Sequence, residues 1–349
     1  MLTKLSRIFG ARGSAVAAPS RATPSLKQLS EDQARQFARR SVSLYALSPA
    51  SSFKLLAYRE NAVFRVDQPG RAPTVLKVLR PGYHSEARLW SDIVWCDALR
   101  EGGVSTPVSL PNVDGQRLSR LGTIDAAPVF GVLYEWLEGE PPSSSNMVET
   151  YRDLGALSAR VHKVSQEWTR PDWFERHHWD ADGLVGPDPF WGRFLELGDL
   201  SAGQRRLFGD AAASVHQALT DWGRGEDRYG LIHADLSPEN IFIQGDQTSI
   251  IDFDDAGHGW FLFDLATSLS FFLAEDFLPD IRDAWIAGYR REGALPDAHL
   301  ESLPPLILAR LLSALGWVHT RSETATAREM TGALIELAEH VASDFLAKR

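Results

Sequence analysis

The chain has 349 residues with 36 basic and 46 acidic side chains, which gives a formal charge of −10 at pH 7. Hydrophobic residues make up 44% of the chain, enough for a full core, which excludes a disordered or fibrous protein. The acidic balance argues against a general nucleic-acid binder, because phosphate backbones attract basic surfaces. A chain of this length suggests two domains or one large two-part unit.

The single cysteine, Cys96, cannot form an internal disulfide, which is typical of proteins from reducing compartments. No apolar run approaches the ~20 residues that cross a bilayer, so we expect no membrane partner and a cytoplasmic location. Residues 1–29 are rich in Ala, Ser, Arg and Pro and contain no acidic residue. This composition fits both an organelle transit peptide and a plain disordered tail, and we favour the tail.

Strand patterns dominate residues 30–138, which we interpret as a small sheet domain with one helix. The predicted elements, in chain order, are strands at 52–57, 62–66 and 74–79, a helix from the cap residue Ser85 to about residue 100, and a strand at 129–134. A cluster of Gly, Pro and Ser at 139–145 then predicts the domain boundary.

Residues 139–349 are predicted to be mainly helical, because their apolar side chains recur with a period close to 3.6. The predicted helices span 147–164, 204–222, 276–291, 300–318 and 328–346. A strand-like island at 230–253 interrupts them. The order of elements therefore predicts an α+β fold, with a small sheet lobe followed by a larger helical lobe.

The polar residues most indicative of chemistry lie in this island. His233-Ala-Asp235-Leu-Ser-Pro-Glu-Asn240 precedes one short apolar strand, and Asp252-Phe-Asp254 follows the next. Pairing the two strands as a hairpin would bring Asn240 beside Asp252. Carboxylate and amide oxygens without thiolates suit Mg²⁺, which usually takes one or two protein carboxylates together with substrate phosphates. Alternatively, these residues are ordinary turn and cap residues of a solvated hairpin. Their order and spacing argue against this interpretation.

The spacing His-x-Asp-x-x-x-x-Asn at 233–240 resembles the protein-kinase catalytic loop, and Asp252-Phe253 resembles its metal-binding Asp-Phe element. His-Ala-Asp together with Ile-Asp-Phe-Asp is most similar to the aminoglycoside phosphotransferase and choline kinase branch of that fold. The resemblance extends over about residues 57–317. It implies a bilobal protein kinase-like fold that uses ATP and Mg²⁺ and phosphorylates a hydroxyl of a small molecule.

The resemblance also implies a role for each of these residues. Asp235 would accept or orient the proton of the acceptor hydroxyl. Asn240 and Asp252 would hold Mg²⁺ on the ATP phosphates, and Asp254 would be a second ligand or would orient one. His233 would brace the loop through hydrogen bonds of its ring.

Asp264 precedes the apolar run 265–273 and is predicted to be the N-cap of a helix. The family resemblance adds a contact between Asp264 and the catalytic loop. Cys96 is expected to be a small core residue rather than a nucleophile, because it lies on the apolar face of its helix.

Lys77 lies inside an otherwise apolar strand, where a charge is costly unless it is paired. By resemblance it would contact the α- and β-phosphates and pair with an acid on the next helix. Asp92 lies in the middle of the apolar face of that helix, whereas Glu86 lies about 120° away at its edge. We prefer Asp92 as the partner, and Glu86 is the competing candidate.

Three further residues are candidates for nucleotide binding. Asn61 lies in a turn without glycine, so it either helps to cover the phosphates or forms an ordinary polar turn, and both interpretations stay open. Glu135 and Leu137 end the last predicted strand, where kinase-like folds place the hinge, and their backbone groups would bind adenine.

The alternatives to a small-molecule kinase are a Ser/Thr protein kinase and a pseudokinase scaffold. A Ser/Thr protein kinase is disfavoured because only ten residues separate Asp254 from Asp264, too few for a peptide-docking activation loop. A pseudokinase scaffold is disfavoured because the motif residues, including Lys77, are intact. Asp254, Asp255 and the overall negative charge favour an amine-bearing acceptor such as an amino alcohol or an amino sugar.

Overall fold

A computed structural model describes residues 29–59, 61–143 and 145–348 of the chain. The expected tail at 1–29 lies, except for Leu29, outside these residues. Within them, no helix is long and apolar enough to cross a membrane. The chain divides into an N-terminal unit, with residues 29–139 and Thr169–Glu175, and a C-terminal unit, with Glu140–Trp168 and residues 176–348.

The N-terminal unit is built on a six-stranded antiparallel sheet with the order β1-β2-β3-β6-β4, in which β5 also pairs with β6. Its elements, in chain order, are α1 (Glu31–Leu44), β1 (Ser52–Tyr58), β2 (Ala62–Asp67), β3 (Thr74–Val78), α2 (Glu86–Glu101), β4 (Ser109–Leu110), β5 (Ser119–Ile124) and β6 (Ala127–Glu135). The predicted strands and the helix capped by Ser85 are confirmed, whereas α1, β4 and β5 were not predicted.

Helix α1 begins with a capping box. Ser30 Oγ accepts a hydrogen bond from Gln33 N, and the Gln33 side chain accepts one from Ser30 N. The buried face of the helix places Phe37 in the same core as Phe64 and Leu76 of the sheet. The segment has few large apolar residues, so its periodicity alone did not reveal the helix, although the capping box is a readable signal.

The segment Thr169–Glu175 returns to the N-terminal unit after the first helix of the C-terminal unit. Glu175 accepts hydrogen bonds from Ser85 Oγ and Arg88 Nε at the start of α2, and its backbone N–H donates to Ser91 Oγ. The domain boundary predicted from composition at 138/139 misses this segment. Its place in the N-terminal unit depends on contacts between residues that are far apart in the sequence.

The C-terminal unit is mainly helical, as predicted. Its helices are α3 (Met147–Glu167), α4 (Ala181–Val185), α5 (Ala202–Trp222), α6 (Phe261–Leu269), α7 (Leu278–Glu292), α8 (Asp297–Leu300), α9 (Leu303–Thr320) and α10 (Ala325–Ala347). Its strands are β7 (His178–Trp179), β8 (Tyr229–Ile232), β9 (Ile241–Gln244), β10 (Gln247–Ile250) and β11 (Gly257–Trp260). They form the hairpin β9-β10 and the three-stranded sheet β7-β11-β8.

Helices α3 and α7 approach each other closely where glycines face the other backbone. A Cβ atom added at Gly155 would lie 2.0 Å from the carbonyl oxygen of Trp285, and one at Gly288 would lie 1.8 Å from that of Arg152. No side chain fits at either position, so the two backbones are in direct contact. This crossing fixes the relative position of His162 and Tyr289, which lie further along the two helices.

Gly155→Ala is expected to lower the free energy of unfolding by about 1–3 kcal/mol, because the added methyl group must displace a carbonyl of the facing helix. Gly209→Ala on α5 is the matched control, since nothing lies within 4 Å of its Cβ position. It should raise stability by about 0.5–1 kcal/mol through helix propensity. Urea unfolding of both variants checks this, and equal effects would contradict the close helix contact.

Candidate active site

The hairpin β9-β10 places the predicted metal residues next to each other, as the sequence indicated. Ile241 pairs with Ile250, and the backbone N–H of Ile251 donates to the carbonyl oxygen of Asn240 at 3.0 Å. Asp252 directly follows Ile251 and has a left-handed backbone, with φ at 67°. Such conformations are uncommon outside glycine and concentrate at functional sites.

Asp235 is held by Asn240 from within the same loop. Asn240 Nδ2 donates to Asp235 Oδ2 at 3.0 Å and to the Asp235 carbonyl oxygen at 2.9 Å. Asn240 itself is buried. Because its amide nitrogen is used in this way, its amide oxygen is the atom that remains for a cation.

Asp264 carries the catalytic loop. Its carboxylate is 1% exposed and accepts hydrogen bonds from the backbone N–H of Ala234 at 2.7 Å and of His233 at 3.2 Å. The expectation that Asp264 caps a helix is wrong: α6 begins at Phe261, and Asp264 lies inside its first turn. The resemblance implied a contact between Asp264 and the catalytic loop, and this contact is present. One of the two loop residues that it involves, Ala234, has a left-handed backbone, with φ at 65°.

His162 connects Asp264 to the helix crossing. Its Nε2 lies 2.9 Å from Asp264 Oδ2, and its Nδ1 lies 3.0 Å from the hydroxyl of Tyr289. A carboxylate only accepts, so Nε2 carries the hydrogen on this side, and the second ring nitrogen, Nδ1, shares a hydrogen bond with the Tyr289 hydroxyl. Burial raises the pKa of Tyr289, which keeps this hydroxyl protonated. The ring of His162 also stacks on Phe261, with centroids 4.4 Å apart.

His233 braces the loop, as its resemblance to the kinase histidine implies. Its Nε2 lies 3.0 Å from the carbonyl oxygen of Ile251, and the backbone N–H of Asp235 points to its Nδ1 at 3.3 Å. The ring therefore connects the catalytic loop to the strand end that precedes Asp252.

Arg176 holds the metal segment from the other side. This buried guanidinium donates to the carbonyl oxygens of Phe253 at 2.8 Å, Asp254 at 2.9 Å and Ala256 at 2.5 Å. Three backbone acceptors on one planar group fix the course of the segment that carries the acids.

The donor set fits a hard cation. Asn240, Asp252 and Asp254 supply only oxygen atoms, and Asp252 is exposed, so a metal and its phosphate ligands can reach it. Across residues 29–59, 61–143 and 145–348, no group of three or more His, Cys, Asp or Glu forms a metal cage. An open set of one amide and one or two carboxylates is what Mg²⁺ uses when phosphates complete its coordination.

In the N-terminal unit, Lys77 lies on β3 opposite Val63 of β2 and Val132 of β6, and it is half-buried. Asp92 is buried on α2, with 8% exposure, whereas Glu86 is exposed in the first turn of that helix. A buried carboxylate is costly unless it has a partner, which favours Asp92 over Glu86 as the acid that accompanies the lysine. The pairing stays a prediction.

The other nucleotide candidates have partly structural roles. Asn61 Oδ1 accepts a hydrogen bond from the backbone N–H of Arg80 at 2.9 Å, so its side chain helps to fix the turn. The backbone N–H of Glu135 donates to the carbonyl oxygen of Val108, the residue before β4, so this amide is not available to adenine. Leu137 lies two residues beyond the end of β6, and its proposed role stays a prediction.

Sequence reasoning missed His162, Arg176 and Arg310. Arg310 Nη2 donates to Asp235 Oδ1 at 3.0 Å. His162 and Arg310 each lie on the apolar face of a helix, and a polar residue in that position is the signal that could have identified them. Arg176 lies outside any helix or strand and carries no such signal.

Residues 54–306 match the family model APH, the phosphotransferase enzyme family. The chain therefore belongs to the phosphotransferase enzyme family, and it is a kinase that acts on a hydroxyl group. The match includes the loop at 233–240 and the metal segment.

Individual relatives agree with this class. The chain is 24% identical to amicoumacin kinase of Bacillus subtilis over 288 residues, which cover 79% of this chain and 82% of that protein. Homoserine kinase of Sinorhizobium medicae is 30% identical over 228 residues, 64% of each chain. The solved structure of a microcompartment-associated aminopropanol kinase is 30% identical, with a TM-score of 0.83, and the match covers 90% of this chain and 98% of that one.

A solved amicoumacin kinase that contains AMP-PNP and Ca²⁺ has a TM-score of 0.73 at 22% identity, over 88% of this chain and 93% of that one. At this identity the likeness concerns the fold. Together with the aminopropanol kinase structure, it confirms the predicted α+β, kinase-like fold.

Asp264→Asn is expected to lower the free energy of unfolding by about 1–3 kcal/mol, because an amide N–H₂ would then face the buried His233 N–H. It should also lower kcat at least tenfold, since the loop that carries Asp235 loses an anchor. Asp283→Asn, whose side chain is 66% exposed on α7, is the control. If Asp264→Asn and the control had the same melting temperature and kcat, Asp264 would not be the anchor.

Proposed function

We propose that the chain transfers the γ-phosphate of ATP to the hydroxyl of a small amino alcohol, with Mg²⁺ as the metal ion. The observation that supports this most directly is the catalytic loop, in which Asp235, Asn240 and the Asp264 anchor are arranged for phosphoryl transfer. Such transfer requires positioning and charge neutralisation more than covalent chemistry.

In this proposal Asp235 accepts or orients the proton of the acceptor hydroxyl at its carboxylate. Asn240 fixes that carboxylate through Nδ2 and presents its own amide oxygen to the metal. Asp252 is the carboxylate ligand, and Asp254 is a second ligand or orients one. Bound Mg²⁺ would neutralise charge on the phosphates. Arg176 keeps these acids in place through the backbone.

Lys77 is assigned to the α- and β-phosphates, with Asp92 as its acidic companion. The carbonyl of Glu135 and the backbone of Leu137 are assigned to adenine, and Asn61 to the turn near the phosphates. These assignments rest on residue type, on burial and on the resemblance to kinase-like folds.

An amine-bearing acceptor is supported by acids close to the loop. Asp254 lies in the metal segment and Asp255 is the next residue, and Asp255 Oδ1 accepts a hydrogen bond from Trp191 Nε1 at 3.1 Å. Negative carboxylates attract the positive charge of an ammonium group. Aminopropanol and homoserine, after which two relatives are named, both contain an amine and a hydroxyl.

A screen of hydroxyl acceptors by ADP release tests the proposed class. Aminopropanol, homoserine and an amino sugar are each compared with the matched alcohol that lacks the amine. We expect turnover with at least one amine-bearing acceptor and a lower kcat/KM with its amine-free analogue. Turnover confined to acceptors that lack an amine would contradict the amino-alcohol proposal.

Asp235→Ala is expected to lower kcat by about 10²–10⁴-fold, since it removes the group that receives the acceptor proton. ATP binding should persist, because the nucleotide is assigned to other residues. Asp246→Ala in the exposed turn between β9 and β10 is the matched control. Turnover assays and nucleotide thermal shifts measure both effects, and wild-type turnover in Asp235→Ala would remove this residue from the mechanism.

A further inference from the structure

We propose that Arg310 is a positioning residue for the catalytic carboxylate of Asp235. The proposal rests on the phosphotransfer function given above. It assigns a role in the reaction to a residue of α9, 75 positions beyond Asp235 in the chain. The catalytic loop at 233–240 contains no lysine or arginine of its own.

The two oxygens of Asp235 have separate donors. Arg310 Nη2 donates to Oδ1 at 3.0 Å, and Asn240 Nδ2 donates to Oδ2 at 3.0 Å. Rotation of the carboxylate would break at least one of these charge-assisted hydrogen bonds. The plane of the carboxylate is therefore fixed by these two donors, and the acceptor hydroxyl must approach lone pairs that Arg310 and Asn240 do not use.

Arg310 is itself held rigidly. Its side chain is 8% exposed, and its guanidinium carbon lies 4.5 Å from the ring centroid of Trp191. Trp191 is fixed by its Nε1 hydrogen bond to Asp255, and its carbonyl oxygen accepts from Thr320 Oγ1 at the end of α9. The guanidinium of Arg310 thus makes a cation–π contact with Trp191 and an ion pair with Asp235, both within the C-terminal unit.

Fold stability does not explain an arginine at this position. Its neighbours Leu308, Leu311 and Leu312 on α9 are at most 2% exposed. Its Nη1 is buried and has no hydrogen-bond partner within the described part of the chain. An unsatisfied buried donor costs about 1–3 kcal/mol. Replacement of both members of a buried ion pair by apolar residues is often neutral for stability, whereas removal of one member is costly only when the remaining charge stays buried.

Asp235, in contrast, does not depend on Arg310 for solvation, since its side chain is 25% exposed. Water can therefore solvate its carboxylate when the arginine is removed. Arg310→Met is thus expected to leave the melting temperature unchanged or to raise it. The cost of the substitution should appear in the chemical step, where orientation of the base matters.

The experiment compares Arg310→Met and Arg310→Lys with Arg228→Met. Arg228 is the control, because it also forms an ion pair with an aspartate, Asp227, at 2.9 Å, and its guanidinium carbon lies 5.7 Å from the ring centroid of a tryptophan, Trp222. For Arg310→Met we expect kcat to fall by about 10–10²-fold, with the KM for ATP changed less than twofold. Lysine should restore part of kcat, and Arg228→Met should keep wild-type kcat. In an Asp235→Asn background, Arg310→Met should cause no further loss.

A crystal structure of Arg310→Met gives a readout that needs no acceptor. We expect the Asp235 carboxylate to rotate or to occupy more than one conformation, while Asn240 stays in place. An unchanged Asp235 carboxylate would overturn the proposal, as would wild-type kcat in Arg310→Met or an equal loss in Arg228→Met. Failure of every amino alcohol in the acceptor screen would contradict the proposed acceptor and would leave this structural result unaffected.

Discussion

The buried carboxylate of Asp264 is the interaction on which the candidate active site depends. It accepts the backbone N–H groups of His233 and Ala234 and contacts His162, with almost no access to solvent. A buried charge is tolerated only when it is fully hydrogen-bonded, so loss of any of these hydrogen bonds would be costly. The loop that carries Asp235 begins at these two amides. The left-handed backbone of Ala234 persists because this anchor over-determines it.

Buried polar groups from distant elements complete the site. His162 transmits the position of the α3–α7 crossing to Asp264, and Arg176 fixes the segment with Asp252 and Asp254. Arg310 orients Asp235 from α9. Burial of each of these polar groups costs desolvation energy. Their hydrogen bonds, in turn, fix the orientation of the acidic residues. The helical unit therefore positions the acids directly, because two of its helices and the segment with Arg176 contribute polar groups to them.

The sequence allowed the fold class and the centre of the site to be predicted, because both depend on local patterns. The hairpin that brings Asn240 towards Asp252 follows from strand alternation and a turn, and the loop spacing identified the family. Arg310, Arg176 and His162 were not predicted, since their roles arise from packing between elements far apart in the chain. Asp264 shows the limit clearly: local reasoning indicated a helix cap, whereas its partners lie 30 and 31 residues earlier.

In the proposed function, Asn240 and Asp252 hold the metal while Asp235 stays outside its coordination sphere and receives the acceptor hydroxyl. A crystal structure with AMP-PNP and Mn²⁺, with the anomalous signal of manganese recorded, tests this directly. We expect one anomalous peak at about 2.0–2.3 Å from the Asn240 amide oxygen and from an Asp252 carboxylate oxygen, as for hard cations. Arg310 and Asn240 should still donate to Asp235. A metal bound to Asp235, or coordinated without both Asn240 and Asp252, would contradict the proposed metal site.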